Sequence, residues 1–371
     1  MKNFISSIIL AILPCLCHAK GIIVVDSTDL GPVAGTTIIS SNGLILGVTD
    51  NNGHATVNEH DYPLSIRSLG YESAFIDDIG IDSIPLTPAI YSLQEVVVDP
   101  KDRPITRVLA YVREYSTGAT TGDTLQMYSE YMREYFFADG KVKGYDKSHR
   151  NGIERNVRRY GRIADANGLD SVMRPKYDDD ITSLSFADFM THIPFKQIKE
   201  PDIIKSGKTS ADTVSGKYYP RFIYRKTNNH FFMECDALSN HKGHKWSPLF
   251  FKILGMTMDF QKANWSLVYK SNNAGKYGIN DFIFSTYNLN TLGKGKLLRK
   301  IIGVKDYISI DCYIELYPVK IERLTQEEYN EVKQEYYTRK SEFMTTDNLM
   351  PLPPSIQGLI DRIEREVPIN E

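Results

Sequence analysis

The chain has 371 residues, of which 42% are hydrophobic and 24% charged, and a formal net charge of −2. That length holds two or three domains, the proportions are those of folded rather than disordered protein, and the near-neutral balance excludes a surface given over to polyanions. Tyrosine is the outlier, 23 residues against 2 tryptophans, and it favours strands and half-buried faces, so composition leans toward β structure.

The first residues read as a leader. Lys2 precedes an apolar run at residues 4–16, and "CHA" ends at Ala19. A charged start, a short apolar core and small residues before the cut predict a signal peptide over residues 1–19. The run is short for a bilayer span, and no other stretch reaches the roughly 20 apolar residues of a membrane helix. The chain is therefore expected to be exported, periplasmic or outer-membrane associated, with no integral span after cleavage. Cys15 and Cys17 leave lipidation open as an alternative to simple cleavage. Cleavage would leave Cys235 and Cys312, which either pair in an oxidising compartment or stay buried thiols.

Residues 20–98 are a series of short β-favouring runs. "IIVV" (22–25) is followed by "TTIIS" (36–40) and "LILGV" (44–48), which flank the Ser41-Asn42-Gly43 turn. In "GVTDNNGHATV" (47–57), Asp50 can cap a turn through its side chain, Gly53 can take φ > 0, and "HATV" returns as a strand. Two more runs surround Gly70. Strands this short at this spacing predict an antiparallel sandwich.

The order "GIIVVD" (21–26), "PVAGTTI" (32–38), "GVTDNNG" (47–53), "IRSLGYES" (66–73) and "LQEVVV" (93–98) resembles the carboxypeptidase regulatory-like domain, a transthyretin-like β-sandwich common in exported proteins of Bacteroidetes. His54-Ala55 departs from the apolar or aromatic start usual for the return strand. The resemblance implies a zinc-free module acting as rigid spacer or docking unit. A zinc peptidase would need His and Glu at ligand spacing, and the chain holds no H-x-x-E.

Further along, Ile105, Val108, Leu109 and Val112 fall at i, i+3, i+4, i+7, which predicts an amphipathic helix opened by Pro104. Residues 124–138 alternate as a strand ended by Asp139-Gly140. "YSEYMREY" (128–135) extends the likeness to those exported proteins as far as about Phe137. Aromatic-rich segments near residues 217–227, 229–237, 262–271, 281–289 and 307–325 predict a curved antiparallel sheet with a helix packed in it. Thr325 and Glu328 form a capping box for a following helix. After the connector "LMPLPP" (349–354), Ile356, Leu359, Ile360, Ile363 and Val367 mark the face of a second helix. The fold class is mainly β or α+β: a sandwich over 20–98, a larger α+β domain of unassigned function over 105–345, and a connector with a short helix over 346–371.

Chemistry is thinly marked. His230, Cys235, His241 and His244, with Asp236, are metal-binding types, but zinc sites use tighter thiol pairs or helical His spacing. The expectation is no metal, no cofactor and no catalytic residue. The basic run 141–162 reads as a solvated face balanced by Asp178, Asp179 and Asp180. "KSGKT" (205–209) lacks the glycine of a phosphate loop, with Asp202 in its place. "SPLFFKILGM" (247–256) reads as a buried core helix rather than a lipid-touching segment. The leading expectation is a non-catalytic binding or scaffolding protein at the cell envelope, contacting protein or glycan and no nucleic acid. A hydrolase of peptide or glycan with its site in the second domain is the alternative. A lipid-handling half-barrel, which needs a dry cavity under the sheet, is a third reading.

Overall fold

A computed structural model describes residues 19–89, 103–120, 123–174, 195–213, 221–241, 243, 245–247, 249–253, 255–296, 307–335, 343–346 and 349–367. Residues 1–18 with Cys15 and Cys17, the "LQEVVV" segment, Asp178–Asp180 and His244 lie outside them. No described helix is long and apolar enough to cross a membrane. The chain is mostly antiparallel β sheet.

The N-terminal unit holds β1 (Ala19–Asp26), β2 (Thr37–Ile39), β3 (Ile45–Val48), β4 (His54–Asn58), β5 (Leu64–Arg67), β6 (Ala74–Ile76) and β7 (Ser83–Leu86). They form two sheets, ordered β4-β1-β7 and β3-β2-β5-β6, in which only the β1–β7 pairing is parallel. Ile22, Val24, Val33, Ile38, Val57, Leu64, Ile66, Ile84 and Leu86 are buried between the two as one cluster. The turn after β3 closes through Asp50, whose Oδ1 accepts the backbone N–H groups of Asn52 and His54, each at 2.9 Å. Gly53 takes φ +76° there, a left-handed conformation that favours glycine.

The larger unit is a ten-stranded antiparallel sheet ordered β11-β10-β9-β8-β19-β18-β16-β15-β14-β13. Its strands are β8 (Ile105–Ala119), β9 (Asp123–Ala138), β10 (Ile153–Asp165), β11 (Asp170–Met173), β13 (Ser210–Thr213), β14 (Arg221–Lys226), β15 (His230–Asp236), β16 (Met256–Lys270), β18 (Phe282–Gly295) and β19 (Ile308–Leu324). A two-stranded ribbon pairs β12 (Ile198–Lys199) with β17 (Lys276–Tyr277). The helices are α1 (Asp202–Lys205), α2 (Leu249–Ile253), α3 (Gln326–Gln334) and α4 (Pro354–Glu366).

The helix expected from Ile105, Val108, Leu109 and Val112 is instead the 15-residue strand β8. It lies between β9 and β19, and both its faces are covered. Val108, Ala110 and Val112 join one core, while Leu109 and Tyr111 join another. A strand buried on both faces carries apolar residues at odd and even positions alike, so a 3.6-residue pattern can be drawn through it. The helix after the last strand is α3, and its capping box is present: Thr325 Oγ1 accepts the Glu328 N–H at 3.2 Å, and Glu328 Oε2 accepts the Thr325 N–H at 2.7 Å.

The sandwich sits on one face of the large sheet. Thr37 Oγ1 meets the Asn288 amide at 3.1–3.3 Å. Arg67 Nε donates to Glu315 Oε1 at 2.8 Å, and Arg67 Nη2 lies 2.6 Å from the same oxygen as an ion pair, with both side chains 0% exposed. Arg225 donates to the Tyr71 hydroxyl at 2.8 Å. Leu69 is buried with Phe232 and Val268. Gly70, at φ +84°, lies so close to Phe232 that any Cβ would strike the ring. The C-terminal segment crosses the same face. The Met350 carbonyl accepts from Arg113 and the Pro351 carbonyl from Arg67.

The arginines of the basic run that lie on β10 pair with acids of the sheet. Glu134, 0% exposed, receives Arg107 at 2.6 Å and Arg155 at 2.7 Å. Arg107 also reaches Glu322 at 2.5 Å. Arg158 pairs with Glu130 and Arg162 with Asp170. The sequence reading put the counter-charges at Asp178–Asp180; among the described residues they come from neighbouring strands.

Candidate functional site

In an antiparallel sheet, directly opposed residues share a face and touch. Register therefore converts scattered residues into rows across the strands. One row runs Arg221, Asp236, Asn264, Asn288, Tyr313, Tyr115, Tyr128 and Tyr160. The next runs Ile223, Glu234, Ser266, Thr286, Glu315, Arg113, Glu130 and Arg158, alternating in charge over its last four members. The tyrosine half of the first row is a ladder of rings. Tyr313 and Tyr115 are 5.6 Å apart, Tyr115 and Tyr128 5.2 Å, and Tyr128 and Tyr160 5.9 Å. Helix α4 covers the ladder with Ile356, Leu359, Ile360 and Ile363. Burial holds the Tyr115, Tyr128 and Tyr313 hydroxyls far above their ordinary range, so they stay protonated.

The polar half of the two rows is left open under the sandwich. A cleft of about 210 Å³ lies there, floored by Arg221, Glu234, Asp236, Asn264, Ser266 and Asn288 and roofed by Ala34, Gly35 and the 48–51 turn. Burial raises the Glu234 carboxyl above its ordinary value, partly offset by Arg225. Arg221 is spoken for by Asp212, Nε to Oδ1 at 3.0 Å with a second contact from Nη2. Asp236 Oδ1 accepts the Leu238 N–H at 3.0 Å. The floor thus presents two carboxyl groups, the Asn264 amide and a hydroxyl, while the Asn288 amide is held by Thr37 and the single guanidinium by Asp212.

The structure does not gather the residues of the weak metal set. His230 and Cys235 differ by an odd number on β15 and point to opposite faces. His230 stands beside Phe232 at 5.9 Å. Cys235 is buried, and burial pushes its thiol up. His241 lies 6.2 Å from the Trp246 ring. Among the described residues no group of three His, Cys, Asp or Glu is placed to hold a metal. Cys235 and Cys312 are both buried and are not joined in a disulfide.

A second cluster looks catalytic in composition. His149 Nδ1 lies 2.9 Å from the Tyr329 hydroxyl, and Asp146 Oδ2 is 4.0 Å from its Nε2. The Tyr329 hydroxyl also accepts the Asp146 N–H at 3.0 Å, and Phe136 packs on both rings. Its geometry is that of a buried clasp joining α3 to the 146–151 turn. Burial pulls the His149 pKa below 6.5, outweighing the opposing pull of Asp146. The folded chain therefore favours the neutral ring, and the unfolded chain takes up the proton first as pH falls. Stability contributed by the clasp is present above about pH 6.5 and lost as pH drops through the folded pKa. Urea midpoints at neutral and mildly acidic pH should show a smaller acid loss in His149→Gln than in the parent.

The cleft residues carry no motif. Glu234 and Asp236 stand in "HFFMECD", where Phe231, Met233 and Cys235 alternate with them, so the strand period showed that they share a face. Their apposition to Ser266, Asn264 and Asn288 depends on register, which is a property of three separate segments.

No family model matches this chain, and no curated protein matches it. Among solved structures, one described as lipid-protein interactions in lipovitellin aligns over 60% of this chain at 11% identity with a TM-score of 0.26. This chain covers 26% of that one, a likeness that fixes neither fold nor function.

Proposed function

We propose that this chain is an exported, envelope-associated binding protein whose ligand is a glycan seated between the N-terminal sandwich and the large sheet. In this reading residues 20–98 form a carboxypeptidase regulatory-like module that serves as the roof and docking unit of the site. The observation that carries it is the polar floor itself: Asp236, Asn264 and Asn288 in one row and Glu234 and Ser266 in the next, all lining one cleft. Carboxylates, amides and a hydroxyl are donors and acceptors suited to sugar hydroxyls. The volume is below the roughly 300–1,000 Å³ of drug-sized sites, so one ring or chain end is the unit that fits.

The test is an oligosaccharide array followed by calorimetric titration of the best binder. Asn264→Ala and Asp236→Asn should each weaken binding about tenfold, the size of one or two lost polar contacts. Absence of any glycan binding, or unchanged affinity in both variants, overturns the reading.

One observation favours a hydrolase as the second reading. Burial raises the Glu234 carboxyl above its ordinary value, and Asp236 lies two positions along the same strand face, about 6–7 Å by strand rise. An acid and a carboxylate at such spacing are the two groups glycoside hydrolysis uses. Turnover of a bound glycan, abolished in Glu234→Gln while binding persists, would establish it.

A further inference from the structure

The segment 247–256, expected as a buried core helix, holds the short helix α2, and among its described side chains Leu249 and Ile253 face outward. Leu249 is 74% exposed and Ile253 83%, and Trp246 beside them is 46% exposed. A buried helix would place such side chains inside; here they project from the end of β16. Pairing sets what surrounds them. Met256 lies opposite Gly295 and Thr257 opposite Lys294, while the Lys296 N–H bonds the Gly255 carbonyl at 3.1 Å. Tyr307, 45% exposed, receives the Lys294 ammonium on its hydroxyl at 2.7 Å, with the same ammonium 4.7 Å from its ring centre.

The result is a tip of exposed aliphatic and aromatic side chains ringed by Lys245, Lys252, Lys294 and Lys296, all exposed. Asp259 is the acid on this tip among the described residues, and it accepts the Ser247 hydroxyl at 2.5 Å. The whole chain carries −2, so this end departs locally from the rest in sign as well as in hydropathy. Nucleic acid would answer the lysines but offers no phase for Leu249 and Ile253. A second copy would answer the apolar residues but set lysines against lysines. An anionic lipid surface answers both, since aliphatic residues enter the headgroup boundary, Trp and Tyr sit at it, and Lys meets the phosphates.

We propose that this end of the sheet is a peripheral membrane contact that seats the protein on anionic phospholipid. It goes beyond the glycan reading and does not depend on it. Asn264 lies seven residues along β16 from Thr257, about 23 Å by strand rise.

The experiment is co-sedimentation of the chain lacking residues 1–19 with phosphatidylcholine vesicles, alone and with roughly one-third phosphatidylglycerol. The parent should partition at least about tenfold more strongly onto the anionic vesicles, and high salt should remove most of that preference. Leu249→Glu/Ile253→Glu should lower anionic-vesicle binding about tenfold. Lys252→Glu/Lys296→Glu should erase the preference for anionic lipid. Because all four residues are exposed, thermal midpoints should match the parent, and Asn264→Ala should bind vesicles as the parent does. No vesicle binding, equal partition onto neutral vesicles, or undiminished binding by both double variants overturns the proposal. So does capture of an acidic protein through the patch by a chain that ignores vesicles.

Discussion

Glu315→Ala is expected to lower the stability of the chain by about 3–5 kcal/mol, the largest single-site effect foreseen outside the core. Glu315 is 0% exposed and is held by Arg67, which is also 0% exposed, with Arg113 Nη1 3.8 Å away. Removing the carboxylate strands a guanidinium between the sandwich and the sheet, where water cannot solvate it. The loss should exceed that of an apolar swap of the pair. Arg67→Met/Glu315→Leu should cost much less than either truncation, because it removes both desolvated charges together. Urea unfolding of the three variants tests this. Equal losses in the single and double variants would show that the ion pair is not the seat of the effect.

The C-terminal helix should matter nearly as much. Ile363→Ala is expected to cost about 2–5 kcal/mol, since Ile363 is 0% exposed and packs with Ile356, Leu359 and Ile360 on the tyrosine ladder. Deleting residues 349–371 should be more severe. It uncovers Tyr115, Tyr128, Tyr160 and Tyr313 and removes the Met350 and Pro351 carbonyls that Arg113 and Arg67 use. Thermal melts of the point variant and limited proteolysis of the truncated chain are the measurements. A melt within a degree or two of the parent would mean that α4 merely rests on the sheet.

Both predictions concern contacts between segments far apart in the chain, which marks where sequence reading works and where it stops. The Thr325–Glu328 capping box, the alternation along β9 and the apolar face of α4 are each written within one or two turns or a few strand residues. Local patterns of this kind survive folding unchanged, and all three stand in the structure. Segment 247–256 shows the opposite case: its apolar content is local, but whether it is covered depends on what packs beside β16. The basic residues of β10 belong with it, because their partners Glu130, Glu134 and Asp170 lie on other strands or across a turn.

Residue order by itself determined that the chain is mostly antiparallel β, that short strands come first, and that a capped helix and an amphipathic helix close it. These follow from side-chain period and turn chemistry over a few residues. Only the tertiary structure decided that β8 is a central strand, that polar residues of β14, β15, β16 and β18 meet in one cleft, and that Leu249 and Ile253 face outward. Each of those outcomes is set by strand register and by which surfaces are covered, and both are fixed by contacts between residues tens to hundreds of positions apart.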